Sequence, residues 1–363
     1  MQPEYGTPYS FAGLLSAVSF GATIVSSFLS VRAIRRFGTG KVTVVSVLLT
    51  GLSMLGICLS HSFYVALALC IPLGLGGGAV DTGLNAYVAE HYKSRHMSWL
   101  HCFWGVGAML GPVIMSRGIA GGSWHSGYLN VSLIQLSLFI LLLVALPLWD
   151  KAVPPVPENP ADADGQAPSQ GMLYSLKIRG VKPVLLSFLL YCGVEVSLGL
   201  WGASYLIAAK GLSAAQAAQW VSFFFLGITA GRFLTGFATI KLNNITLIRM
   251  GEFIILVGTA LLLLPLPVLV SAAGFVLVGL GCAPIFPCML HETPARFGKK
   301  NARVIMSFQF AFAYVGCSVL PPVFGVIAEY TSFLTLPCFL AAYTLFMLLC
   351  TERVNRIMKH KVS

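Results

Sequence analysis

Charge is what this sequence has least of. Asp, Glu, Lys and Arg make up 10% of the residues, whereas about a quarter is usual in soluble globular chains. Acids are the scarcer sign, 12 against 23 Lys and Arg, so the formal net charge is +11. Catalytic and metal-binding patterns are lacking too. The nine cysteines (Cys58, Cys70, Cys102, Cys192, Cys282, Cys288, Cys317, Cys338 and Cys350) lie in or beside apolar segments, with no CxxC or Cys/His ligand spacing. They read as small core residues, not as a metal site or a disulfide framework. No Walker lysine motif is present. The run Gly74-Leu-Gly76-Gly-Gly-Ala79 fits a GxGxxA fingerprint only formally, because it follows no strand and precedes an acid inside an apolar segment. No nucleophile with its base and no ligand pair has supporting spacing, so neither an enzyme nor a cofactor is expected.

Apolar sequence fills the space that charge leaves. Hydrophobic residues reach 57% and the mean hydropathy is +0.83, values of a polytopic membrane protein embedded in a lipid bilayer. The segments are long enough for spanning helices and lack the short alternation of a membrane barrel, which predicts an all-α architecture. Eleven spans are expected, near 10–31, 42–60, 64–89, 97–117, 127–148, 183–208, 214–238, 246–265, 268–290, 303–327 and 333–351. They divide as 5 + 6 around a proline-rich hydrophilic stretch. The expected domains are an N-terminal bundle (1–148), a cytoplasmic linker (149–182), a six-helix bundle (183–351) and a basic tail (352–363).

Alternate loops hold 20 of the 23 Lys and Arg. By the positive-inside rule these loops are cytoplasmic, which puts the N-terminus outside and the C-terminus inside a cell membrane. The basic balance is thus topology, not nucleic-acid binding. Residues 10–31 have the length of a signal peptide, but their positive cluster (Arg32, Arg35, Arg36) follows them, so they are expected to stay as a span.

The two halves repeat. An offset of 205 residues lays LGLGGGA from Leu73 on VGLGCAP from Val278. Similar offsets lay Gly21, Thr23 and Ile34 on Gly227, Thr229 and Ile240, and Gly107 and Pro112 on Gly316 and Pro321. Parallel repeats of six helices build one large class of secondary transporters, with the substrate site at the repeat interface. On this offset the counterpart of the span opening near Lys182 falls before the chain begins, so a helix equivalent to the first of twelve is missing from the first half as given.

The repeat, the basic loop SVRAIRRFGTGK and the central linker resemble the major facilitator superfamily. Within it, GLGGGAVDTGLNAYVA, HMSWLHCFWGVGAMLGP and YCGVEVSLGLWGASYL are similar to bacterial fucose-permease-like sugar transporters and to sodium-dependent glucose transporter-like members. The resemblance implies the major facilitator fold and alternating access by two rocking bundles, with the fourth and seventh helices of the twelve lining the cavity. It also implies proton coupling through an acid of the fourth helix, where Asp81 stands. Arg35 departs from the loop pattern, which usually has an aspartate there, and a second acid of the pattern would lie in the missing first helix.

The residues themselves supply candidates. An ionised group at the centre of a membrane helix costs roughly 2.5 to 3.5 kcal/mol on insertion scales, so it faces a cavity or a partner. Asp81 and Glu195 are the candidates for proton coupling, with a structural hydrogen bond or buried ion pair as the alternative for each. Asn85, His101, Trp104, Tyr191, Trp201 and Gln309 offer the hydrogen bonds and flat apolar faces that a sugar needs. For Trp104 and Trp201, and more so for Tyr205, anchoring at the membrane interface is the competing role. Arg232, the basic residue inside a span, is expected to snorkel or to pair with Glu252 in an inward gate. The Gly74/Gly78 and Gly107/Gly111 spacings read as close helix packing. The expected function is secondary transport of a small polar solute, a sugar, driven by a proton or sodium gradient. The alternatives are efflux of amphipathic drugs, or a non-transporting receptor or inactive truncated form. A monomer is expected.

Overall fold

The computed structural model describes residues 10–121, 123–152, 172–265 and 267–362. These residues fold as a succession of helices: α1 (Ser10–Phe37), α2 (Thr39–Leu59), α3 (Phe63–His91), α4 (Ser94–Ala120), α5 (Trp124–Val144), α6 (Leu146–Ala152), α7 (Val181–Lys210), α8 (Ala214–Ala238), α9 (Asn244–Leu263), α10 (Val268–Phe297), α11 (Lys299–Tyr330) and α12 (Leu336–Val362). Two 3-10 turns, Met172–Lys177 and Phe333–Thr335, precede α7 and α12. Eleven of the helices among the described residues are long and apolar enough to cross a bilayer. The linker expected at 149–182 falls largely on residues outside the described ones.

Local signals set the helix ends. Ser213 and Gln216 form a reciprocal capping box at the start of α8, and the Asn243 side chain accepts from the Thr246 amide at 2.8 Å to open α9. Gly211 closes α7 in the left-handed region at φ 64°, a backbone conformation that favours glycine. Several helices outrun the apolar windows that announced them. α12, for example, continues through the basic tail to Val362, because helical hydrogen bonding does not stop where hydropathy does.

The described residues form two compact units, one within Met1–Tyr87 and Ala108–Ser175, the other within Val88–Gly107 and Leu176–Ser363. In the first, α3 lies against α1 through glycine. A Cβ on Gly74 would overlap the Ser19 carbonyl, and one on Gly78 the Thr23 carbonyl. On another face of α3, a Cβ on Gly76 would come to 2.7 Å from the Ser46 carbonyl of α2. The second unit repeats this arrangement at the offset of 205. Gly279 of α10 meets the Phe224 carbonyl of α8, and Gly281 would bring a Cβ to 2.6 Å from the Gly251 carbonyl of α9. In the first unit Gly78 opposes Ser26, whereas at the equivalent place a Cβ on Gly231 would sit 2.5 Å from that of Ala283. The small residue has changed sides.

These contacts correct one alignment. Ala22, not Gly21, lies against Gly74, as Gly227 lies against Gly279, so the packing register at these contacts is 205. The Gly74/Gly78 pair packs as expected. Gly107 and Gly111 do not, since a Cβ on either would meet nothing within 4 Å among the described residues.

The core of the second unit is built on wholly buried Phe188, Tyr191, Phe224, Phe275 and Phe324. Outward faces are apolar as well. Leu133, Ile134, Ile140, Leu141 and Val144 of α5 are all more than 45% exposed, an apolar surface suited to hydrocarbon and not to water.

The close contacts predict a contrast. Gly279→Val forces a side chain onto the Phe224 backbone and is expected to destabilise by about 1–3 kcal/mol, whereas Gly107→Val adds its side chain in open space and is expected to be neutral. Thermal unfolding of the two variants in detergent measures the difference, and equal midpoints would contradict the packing.

Candidate functional site

In the first unit the candidates lie together on α3. Asp81 is half-buried, and the Asn85 side chain, 4% exposed, donates to the Asp81 carbonyl at 2.8 Å. Thr82, also buried, has a hydroxyl without a hydrogen-bond partner among the described residues.

The second unit gathers more of them. Glu195 and Tyr191 stand one turn apart on α7, Arg232 on α8, and His101 and Trp104 on α4. Arg232 is 3% exposed, and its Nη2 lies 3.7 Å from Glu195 Oε1. The same nitrogen donates to the Tyr191 hydroxyl at 3.4 Å, and Nη1 donates to the His101 carbonyl at 3.3 Å. The guanidinium carbon sits 5.0 Å from the centre of the Trp104 ring, a cation–π distance. Its Nε is buried with no hydrogen-bond partner among the described residues. Phe286 of α10 closes the cluster, its ring 5.2 Å from His101 and 5.5 Å from Tyr191.

The expected pairing of Arg232 with Glu252 is not formed. Glycine positions explain why. Gly231 turns one face of α8 onto α10, so Arg232, about 100° further round, is directed to α7 and α4. Gly251 does the same for α9, and Glu252 is directed to α12, where its Oε1 accepts from the Thr351 hydroxyl at 2.9 Å. Glu252 is wholly buried, and its Oε2 has no partner among the described residues.

Other candidates serve helix contacts in this structure. The Trp201 ring nitrogen donates to the Pro321 carbonyl at 2.8 Å, and the ring lies among Phe324 and Phe333. Gln309 is wholly buried and exchanges hydrogen bonds with Thr293, donating at 2.9 Å and accepting at 3.2 Å. Tyr205 is 3% exposed and donates to the Leu262 carbonyl, so it is a buried fastener of α7 to α9 and not an interfacial anchor.

The model of the Major Facilitator Superfamily matches residues 1–321. The chain belongs to this superfamily. It is a multi-pass membrane transporter of that family. A relative, the glucose/mannose transporter GlcP of Bacillus subtilis, is 24% identical over 285 residues, which cover 78% of this chain and 68% of GlcP. The fold matches that of FucP in the outward conformation with a TM-score of 0.78 at 14% identity, covering 95% of this chain and 90% of FucP. It also matches the proton:xylose symporter XylE with a TM-score of 0.74 at 14% identity, covering 94% and 85% of the two chains.

Sequence reasoning missed a polar chain at the basic ends of this transporter's helices. Arg303 of α11 grips Glu90, at the end of α3, through two hydrogen bonds of 3.0 and 2.8 Å. The Asn244 side chain of α9 accepts from the Ser94 hydroxyl at 2.5 Å and donates to Glu292 of α10 at 2.7 Å. Arg249 and Glu352 are likewise doubly bonded, at 2.5 and 2.8 Å. Glu90 and Arg303 are 213 residues apart, and no local pattern joins them.

The Arg232–Glu195 pair has a stability signature. Arginine cannot shed its charge, so Glu195→Leu strands it inside the helix bundle at a cost of about 3 kcal/mol. Replacing both residues, Arg232→Met with Glu195→Leu, is expected to recover most of that loss in a thermal unfolding assay. A double variant no more stable than the single one would show that the pair is not coupled.

Proposed function

We propose that this transporter carries a small polar solute, a sugar, by alternating access coupled to proton movement. The solute contacts are assigned within the second unit to Arg232, Tyr191, His101 and Trp104; within the first unit, taken by itself, Asn85 is the substrate-contact candidate. One observation carries the reading: a buried guanidinium keeps an unpartnered Nε beside an aromatic face and a carboxylate. Hydroxyls and flat carbon faces ask for this combination of donors and rings. The names of the relatives support the same class, being a glucose/mannose transporter, a fucose:proton symporter and a proton:xylose symporter.

Glu195 is the coupling group in this mechanism. When ionised it holds Arg232 by its charge; when protonated it lets go, and the guanidinium N–H groups turn to the solute oxygens. Proton and solute therefore favour each other's binding. Asp81 is the second proton site, and sodium is the competing ion at both carboxylates. Arg232 also serves as a gate through its hold on Glu195, and Glu252 through its link to Thr351 on α12. Trp201 and Gln309 support the site by fastening α7 to α11 and α10 to α11. The basic ends of the helices are taken as cytoplasmic, in a cell membrane.

Proteoliposomes test the proposal directly. A pH gradient is expected to drive uptake of at least one of glucose, mannose, fucose and xylose. Glu195→Gln and Asp81→Asn are expected to lower that accumulation about tenfold or more, and Arg232→Lys to raise the half-saturating concentration by roughly 10- to 100-fold, the worth of a hydrogen bond to a charged group. Uptake that follows a sodium gradient alone would replace the proton. No uptake of any of these sugars under either gradient, with all three variants silent, would falsify the proposal.

A further inference from the structure

A cavity of about 760 Å³ opens at the basic end of the second unit. It lies where the turn before α7, the start of α7 and the last turns of α12 come together. Its charged lining has one sign. Lys177, Arg179, Lys182 and Arg353 are all exposed on it, no carboxylate lines it, and none of the four is in an ion pair among the described residues. Gly180, at φ 96°, reverses the chain so that Arg179 and Lys182 both reach this hollow.

A neighbouring cavity of about 950 Å³ makes the contrast. It is lined by Arg249 and Arg296, but Arg249 is bound to Glu352 at 2.5 Å and Arg296 lies 3.6 Å from Glu292. There the protein answers its cations with its own acids. In the first cavity none of the described acids does so.

Four like charges around one hollow repel one another, so the cavity favours an anion. The start of a 30-residue helix adds the positive end of its dipole. A solvated basic loop would share these features. What sets the cavity apart is an apolar wall: Leu186 and Leu349, 42% and 64% exposed, line it from the spanning segments of α7 and α12. A free phosphate has no use for that wall. An amphiphile with an anionic head and hydrocarbon tails fits both parts.

We propose that this cavity binds the headgroup phosphate of an anionic phospholipid of the phosphatidylglycerol type, its acyl chains lying along Leu186 and Leu349. Each basic side chain near a membrane surface contributes about fivefold in affinity for acidic lipid. Native mass spectrometry of the full chain in detergent, titrated with phosphatidylglycerol or with phosphatidylcholine of the same chains, reads the binding. Phosphatidylglycerol is expected to bind more tightly. Lys182→Ala or Arg353→Ala should weaken it about fivefold, and Lys177→Ala with both of these on the order of a hundredfold. Lys299→Ala with Lys300→Ala, which removes two exposed charges elsewhere, should leave it unchanged. Equal binding of the two lipids would overturn the proposal, as would an equal loss in the Lys299/Lys300 variant. Displacement of the lipid by inorganic phosphate at matching concentration would assign the cavity to free phosphate instead. All the substituted residues are exposed, so folding is not at stake, and the readout does not depend on transport.

Discussion

Hydrocarbon offers a guanidinium neither water nor counter-ion, and that constraint organises the second unit. Arg232, almost wholly buried, has to be solvated by protein. It draws on a carboxylate from α7, a phenol one turn away, a backbone carbonyl and an indole face from α4. A single side chain thereby gathers three helices at one point. The distances, 3.3 to 3.7 Å, are those of a loose solvation shell and not of a locked salt bridge. A shell of this kind can exchange one partner for another, which is what a transport cycle asks of it. By contrast, the doubly bonded Glu90–Arg303 and Arg249–Glu352 pairs have short, paired geometry suited to holding helix ends.

Helix association in lipid cannot draw on water-driven apolar burial, so it leans on close backbone approach. The glycines of α3 and α10 provide it in both units. Their contacts also decide which side chains look inward: a glycine committed to a neighbouring helix fixes the azimuth of the residue after it, as Gly231 does for Arg232 and Gly251 for Glu252. Packing thus determines the chemistry of the site without touching it.

Much of this was legible in the sequence because hydropathy reports depth. Eleven spans and the 205-residue repeat both follow from where apolar runs and glycines fall. Azimuth is what a single sequence conceals. Arg232 and Glu252 were read as partners in one gate, yet they turn to different neighbours. Tyr205 was read as interfacial because tyrosines often are, but its hydroxyl is spent on a buried carbonyl. Gly21 matched Gly227 by letter, whereas contact matches Ala22 to it, since a helix face and not a residue name is what the repeat preserves. Gly107 and Gly111 had the right spacing but face no described neighbour; spacing identifies a smooth stripe, not what lies against it.

The exchange of small residues between the two units carries a consequence for how such a chain can drift. Ser26 faces Gly78 in one copy, and Gly231 faces Ala283 in the other. What is kept is the joint bulk of two partners on different helices, so neither position is constrained alone. Sequences descended from this one should vary at these sites in compensating couples, a gain of a carbon on one helix matched by a loss on the other, and a lone enlargement should be rare at either place.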